Sequence, residues 1–416
     1  MNKFVFAAAA MLAAMAQLQA QELDYATFMR GVMEGNAGYR AARMEVPIAR
    51  AELEHARKFN DASAAFAYGN NSDWDVAMGQ SAEVEVSKTF SIGKRRSRMA
   101  VARHNMEAQE AGLQDYERNL RADATVAYLD ALLARELART GAEYAENMRA
   151  LYRSDSLRYS RGDLSEVDVT QSLLEAEMAQ QECLMARTAY RNALVRIDWM
   201  MGTPARGTRT ISGELTRQTG LADLQQMLQE SATRRQDVVQ ARRLAETAQS
   251  EVKLTQMERM PDIDLSVGMS HSTRVRNEEA PAPPFNGYTV GISLPLPVSN
   301  MNRGEVKAQQ FRAQQAEAEA EAMWHAAQAE VIQAYHDYTV AISRADAYGT
   351  SIMEQALEVL NGKMYAYQRG ETSLLEVLNA QHTYIGIRQD YATSLYECMK
   401  CWVELQRSCG STEFGL

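Results

Sequence analysis

Few side chains in this 416-residue sequence stand where chemistry could be done, and most of those lack the neighbours that chemistry needs. Cys398-Met-Lys-Cys401 has the CxxC spacing of a redox dithiol or half a zinc ribbon. It lies in a helical pattern near the C-terminus with no second pair and no nearby His, which leaves a disulfide or free thiols as the readings for it, Cys183 and Cys409. The six histidines are scattered without an i, i+4 pair. The 23 methionines occur singly along helical stretches, where a flexible apolar side chain fills gaps, rather than in a copper-binding array. Ser165 and Ser373 have no neighbouring His, and no glycine-rich segment has phosphate-loop spacing. No catalytic constellation, metal site or cofactor is therefore expected. One carboxylate remains. Glu376 and Asn379 lie three apart and share a helix face. Repeated by symmetry around a passage, Glu376 would form an acidic ring that favours cations; alternatively it joins Asp163, Glu166, Asp168 and Glu371 in stabilising helix N-termini beside the dipole.

Both groups of acids follow a repeated motif. Tyr159 to Ser165 reads YSRGDLS, and Tyr367 to Ser373 reads YQRGETS. A glycine costs helix stability, so two copies of Arg-Gly in helical sequence need a reason. Two further landmarks recur at nearly the same offset: Ala127-Tyr128-Leu129-Asp130 with Ala334-Tyr335-His336-Asp337, and Val84-Glu85-Val86-Ser87 with Val290-Gly291-Ile292-Ser293. The sequence is a tandem duplication, read as repeats over 21–210 and 211–416, the second gaining about one residue per intervening stretch. Residues 1–20 precede them: Lys3, an apolar run from Phe4 to Ala16, then small residues ending Leu18-Gln19-Ala20. This is the pattern of a secretory signal peptide, cut after Ala20 or after Ala16.

Each repeat has the same order: a helical approach segment (Leu23–Phe59, Leu221–Met257), two stretches of period two, a very long helix, the YxRG turn and a returning helix. Trp74, Val76, Met78, Gln80, Ala82, Val84, Val86, Lys88 and Phe90 alternate with Asp75, Ala77, Gly79, Ser81, Glu83, Glu85, Ser87 and Thr89, and the partner stretch is weaker, with Phe66 and Tyr68 amid small residues. Ile263, Leu265, Val267 and Met269 alternate with Asp264, Ser266 and Ser270, and Tyr288, Val290 and Ile292 with Thr289, Gly291 and Ser293. These are strands with one apolar face and one polar or small face. Hairpins are expected over 62–90, with a loop at Gly69–Asp73, and over 262–297, with a loop at Arg276–Gly287. No stretch of 18 apolar residues follows residue 20, so no spanning helix is expected. The strands suit either a soluble sheet or a membrane barrel that is greasy outside and wet inside. Four strands cannot close a barrel, and open edges are prohibitive in lipid; a barrel here must be assembled from several identical chains.

Between Ser97 and Tyr159, and between Gly304 and Tyr367, no proline appears, and apolar residues recur at helical spacing: Val126, Leu129, Leu133 and Leu137, then Val331, Tyr335, Tyr338 and Ile342. Sixty-odd residues at about 1.5 Å per residue make helices of roughly 90–100 Å, suited to coiled-coil packing. The formal charge is −10 and no large basic cluster exists, so nucleic acid is not an expected partner.

Taken in order, the signal peptide, the two halves, the paired YxRG turns, the AYxD pair and Ser293-Leu-Pro-Leu-Pro297 with Asn302-Arg303-Gly304 resemble the TolC-like outer-membrane efflux channels. The last segment is most similar to outer-membrane subunits of resistance-nodulation-division pumps, particularly the heavy-metal type. The resemblance covers essentially the whole chain after residue 20. It implies a mainly α fold with a membrane β-barrel part: a homotrimer whose four strands per chain make a twelve-stranded barrel in outer-membrane lipid of a Gram-negative bacterium, above a helical tunnel through the periplasm. It implies two partners, a periplasmic adaptor and an inner-membrane transporter. The adaptor would meet the tip turns at Arg161, Gly162, Leu164, Ser165, Arg369, Gly370, Thr372 and Ser373. In the family, acids just past the second turn narrow the pore. Glu376 matches one of these, Asn379 departs from the paired-acid pattern, and Asp168 is the equivalent of Glu376 in the first repeat.

The expected function is a passive exit duct for small molecules or metal ions, without catalysis. Channels for type I protein secretion share the architecture. A secreted coiled-coil structural protein would explain the helices but not two alternating hairpins at equivalent places.

Overall fold

The computed structural model describes residues 22–72, 77–204, 209–217, 223–296 and 302–415. The expected signal peptide, together with Trp74, Val76 and Pro297, lies outside these residues. The chain runs α1 (Tyr25–Gly35), α2 (Ala37–Ala56), β1 (Ala62–Asn71), β2 (Gly79–Phe90), α3 (Lys94–Ser160), α4 (Glu166–Met200), α5 (Leu224–Arg234), α6 (Gln236–Glu258), β3 (Ile263–Ser272), β4 (Phe285–Ser293), α7 (Arg303–Ala347), a π-helical turn (Tyr348–Ile352), α8 (Met353–Gln368) and α9 (Leu374–Ser408).

Each approach segment is two helices rather than one. The first breaks at Asn36, whose backbone turns extended. Its side-chain carbonyl accepts the Tyr39 N–H at 3.0 Å, and its amide donates to the Met200 carbonyl at 3.1 Å. The second breaks at Arg235, also extended, which is buried and reaches Glu330 at 2.6 Å. Both breaks are held by contacts remote in sequence, which local propensity cannot anticipate.

The long helices differ between the halves. α3 is continuous over 67 residues. Its counterpart is interrupted by the π turn, where Gly349 lies against the Tyr391 ring and the Tyr348 hydroxyl donates to Asp390 at 3.3 Å. The second half carries one residue more than the first between its AYxD and YxRG landmarks. An i→i+5 turn absorbs such a residue without rotating the rest of the helix off its packed face.

The chain divides into two compact units, one comprising Met1–Arg43, Gln114–Gln236 and His325–Leu416, the other Met44–Leu113 and Asp237–Trp324. The second contains the sheet. It has four strands in the order β1-β2-β3-β4, every neighbour antiparallel. One face is a continuous apolar surface: Phe66, Val84, Met269 and Tyr288 align across the strands, as do Val86, Val267 and Val290. These side chains are exposed, Val290 to 79%. The opposite face is small, hydroxylic and acidic, with Ser63 and Ser87 hydrogen-bonded at 2.7 Å and Glu83 and Glu85 beside them. Among the described residues β1 and β4 each pair on one side only. Neither hairpin loop falls where expected: β1 runs on to Asn71 with β2 starting only at Gly79, and β3 runs on to Ser272 with β4 starting already at Phe285. Gly69–Asn71 pair with Gly79–Ser81, and Phe285–Gly287 pair with Ser270–Ser272. Once a facing strand is present, polar residues extend the ladder as readily as apolar ones, while Pro283 and Pro284, without an N–H to give, stay outside it.

The first unit is helix packed on helix. One core cluster joins Met227, Val331, Ala334, Tyr338, Cys398 and Leu405; a second lies under the paired turns and is described below. Tyr128 of the AYxD landmark is buried, and its hydroxyl donates to the carbonyls of Leu23 (2.8 Å) and Ser212 (2.7 Å). Asp130 accepts from Tyr396 at 2.6 Å. All four cysteines carry free thiols, Cys183, Cys398 and Cys409 buried and Cys401 half-buried. Burial pushes the Cys401 thiol up to about 11, far from the thiolate a redox or zinc CxxC uses.

Candidate functional site: the paired helical turns

The glycine in each YxRG ends a helix. Gly162 and Gly370 have φ of +82° and +76°, the left-handed region that an L side chain resists. At the first turn the Gly162 N–H donates to the Tyr159 carbonyl at 2.9 Å and the Asp163 N–H to the Arg158 carbonyl at 2.9 Å. At the second, Gly370 donates to Tyr367 at 3.0 Å and Glu371 to Ala366 at 2.9 Å. This is the same Schellman cap twice. A Cβ at either glycine would meet nothing within 4 Å, so the requirement comes from the backbone angle and not from space.

Beyond the caps the turns diverge. Ser165 is the N-cap of α4: its hydroxyl accepts the Asp168 N–H at 3.2 Å and donates to the Asp168 carboxylate at 2.7 Å. Asp168 is thus engaged in a reciprocal cap. Ser373 holds the equivalent place before α9 but makes no side-chain cap. Glu376 turns instead to Lys363 of α8, whose ammonium donates to it, and that contact lowers the Glu376 carboxyl below its ordinary value. Asn379 is exposed on the same helix. Arg369 stacks on the Tyr365 ring, 4.7 Å from its centroid. Arg161, Gly162, Ser165, Gly370 and Ser373 are exposed, and Leu164 and Thr372 half-buried.

The two tyrosines of the motif have opposite fates. Tyr159 is 45% exposed; Tyr367 is 4% exposed. The Tyr367 hydroxyl donates to Oδ1 of Asp155 at 2.9 Å, and Asp155 is fully buried. The Arg158 guanidinium lies 4.8 Å from the Tyr367 ring centroid. Burial raises the Asp155 carboxyl above its usual range, and burial beside this acid raises the Tyr367 phenol far more. Asp155 and Arg158 lie on α3 and Tyr367 on α8, so this contact ties the first helical hairpin to the second. Around it Met148, Leu151, Ala176, Cys183, Leu374, Val377 and Leu378 form the apolar core that joins both hairpins. Arg388 of α9 and Glu143 of α3 add an ion pair at 2.6 Å.

The turns are therefore two exposed loops on a shared core, with the buried Tyr367–Asp155 contact joining the hairpins beneath them. Asp155, Arg158 and Lys363 were not singled out in the sequence. Mid-helix acids and bases are common there, and only their meeting with Tyr367 and Glu376 distinguishes them.

Residues 80–203 and 227–411 match the family described as "Outer membrane efflux protein". The chain is similar to the cobalt-zinc-cadmium resistance protein CzcC of Cupriavidus metallidurans, 21% identical over 318 residues, covering 76% of this chain and 74% of that protein. It is also similar to the pyoverdine export outer membrane protein OpmQ of Pseudomonas aeruginosa, 23% identical over 347 residues, covering 81% of this chain and 68% of that protein. Among solved structures the fold matches the CmeC outer membrane channel of Campylobacter jejuni with a TM-score of 0.78 at 14% identity, over 92% of this chain and 84% of that one.

Proposed function

Because the chain belongs to the outer membrane efflux protein family, we propose that it is the passive exit duct of a tripartite pump, exporting small molecules or metal ions across the outer membrane. The observation that carries this reading is the sheet: among the described residues four strands, apolar on one exposed face, polar on the other, with both outer edges unpaired. Lipid would cover the first face and water the second. The edges are satisfied if three chains close one twelve-stranded barrel. The duct works as a homotrimer built from the repeats 21–210 and 211–416.

An inner-membrane transporter of the resistance-nodulation-division class supplies the energy, and a periplasmic adaptor meets the exposed tip turns at Arg161, Gly162, Leu164, Ser165, Arg369, Gly370, Thr372 and Ser373. The Tyr367–Asp155 tie holds the two hairpins together at that end, and relaxing it widens the passage. Glu376 lines the narrowing with Asn379 beside it. Its pairing with Lys363 supports a weaker cation preference than an unpaired acidic ring would give. Asp168, engaged in its cap, contributes less. The cargoes named for the two relatives, metal cations and pyoverdine, support export of small solutes. Deleting the protein should sensitise the cell to metals, dyes or detergents; unchanged sensitivity to all three classes would remove the efflux reading.

A further inference from the structure

The second unit holds a group that the duct does not use. His104 and Glu107 lie one turn apart on α3, and Glu246 on α6 faces them. One donor atom from each, the His104 Nδ1 and a carboxylate oxygen from each glutamate, lies within 4.8 Å of the others. Among the described residues this is the one group of three metal-ligating side chains that converges so closely.

The spacing itself carries information. The His104 Nδ1 is 3.4 Å from Glu246 Oε2 and 3.8 Å from Glu107 Oε2. The nitrogen is buried and has no hydrogen-bond partner, so these separations are not hydrogen bonds. Ligands bound to one tetrahedral zinc ion at about 2.0–2.1 Å stand about 3.3–3.4 Å apart. The His104–Glu246 separation already matches such an edge, the His104–Glu107 separation is a few tenths of an ångström longer, and the third pair lies within 4.8 Å. One imidazole and two carboxylates suit a borderline divalent cation. The same set is poor for magnesium or calcium, which take six or more oxygens.

Arg243, one turn before Glu246, occupies the same two oxygens, with Nη1 2.7 Å from Glu246 and 3.3 Å from Glu107. Its guanidinium is therefore the competing cation, and it is partly exposed. The geometry points to a zinc-class divalent-cation site formed by His104, Glu107 and Glu246, which clamps α3 of the first half to α6 of the second and is gated by displacement of Arg243. The inference is independent of what the duct exports.

The test is equilibrium dialysis of the purified detergent-solubilised protein against zinc at pH 7, with magnesium in parallel. One zinc per protomer is expected. His104→Ala should lose that equivalent. Glu246→Gln should bind on the order of tenfold more weakly or worse. Arg243→Gln should bind zinc more tightly, which separates a ligand site from general damage because it removes a charged residue and gains function. Zinc stoichiometry unchanged in His104→Ala, equal affinity for magnesium, or weaker zinc binding in Arg243→Gln would each overturn the site.

Discussion

Replacing Tyr367 by Phe removes one oxygen from the contact that ties the two helical hairpins and leaves everything else in place. The ring is 4% exposed and stays packed in the same core, and the Arg158 guanidinium can still lie over it. What is lost is the hydrogen bond to Asp155, a carboxyl with no exposure to water. A hydrogen bond to a charged group contributes about 1.5–3 kcal/mol, and its loss leaves the acid under-solvated. A value of about 2 kcal/mol corresponds to a roughly 30-fold shift between hairpins held and hairpins released. If that tie restrains the passage, reconstituted Tyr367→Phe protein should show higher mean conductance in planar bilayers, with open events correspondingly more frequent. Tyr159→Phe, the same change at the matching motif position, should do nothing, because Tyr159 is 45% exposed and holds nothing across the hairpins. Asp155→Asn keeps an acceptor for the phenol and should be milder than Tyr367→Phe. Identical conductance histograms for Tyr367→Phe and the wild-type protein would refute the reasoning, since a buried polar tie cannot be cut without consequence if it governs the passage.

Gly162→Ala and Gly370→Ala force a Cβ into the left-handed region with open space around it, so each should lower unfolding stability by about 1–2 kcal/mol through backbone strain alone, read as a shifted urea midpoint. The Glu376 carboxyl is lowered, so its charge is present above the ordinary value of 4.5 and is lost only as pH falls through its lower folded value. Cation preference in bilayer reversal potentials should hold from neutral pH down to about 4.5 and fade below it, while Glu376→Gln should reduce it and Lys363→Ala raise it at every neutral pH. On the sheet, Val290→Lys puts a charge on the apolar face and should cost up to about 2–4 kcal/mol on insertion into lipid, whereas Thr289→Lys on the polar face should assemble normally, as judged by folded yield in outer-membrane fractions.

Periodicity alone carried much of the architecture. Alternation at Val84, Val86, Val267, Val290 and Ile292 specifies both faces of the sheet, because side chains on a strand must point to opposite sides. Proline-free helical stretches bounded by Arg-Gly specify long hairpins and the place where they turn, because only glycine takes the left-handed cap without strain. The spacing of Leu129, Val331 and Tyr338 marked packed positions that are fully buried. Tertiary structure decided the rest. Alanines such as Ala108, Ala124 and Ala131 fill the interior as fully as the leucines do, and a small residue gives no hydrophobic signal of its own. The breaks at Asn36 and Arg235 depend on Met200 and Glu330, far away in the chain. Two motifs that read almost alike came apart at their tyrosines and acids. Tyr367 is buried on Asp155 while Tyr159 faces outward, and Asp168 caps a helix while Glu376 reaches Lys363. A repeated sequence sets the same local caps in both halves, but each half packs against a different neighbour, and burial and charge partners belong to that neighbour.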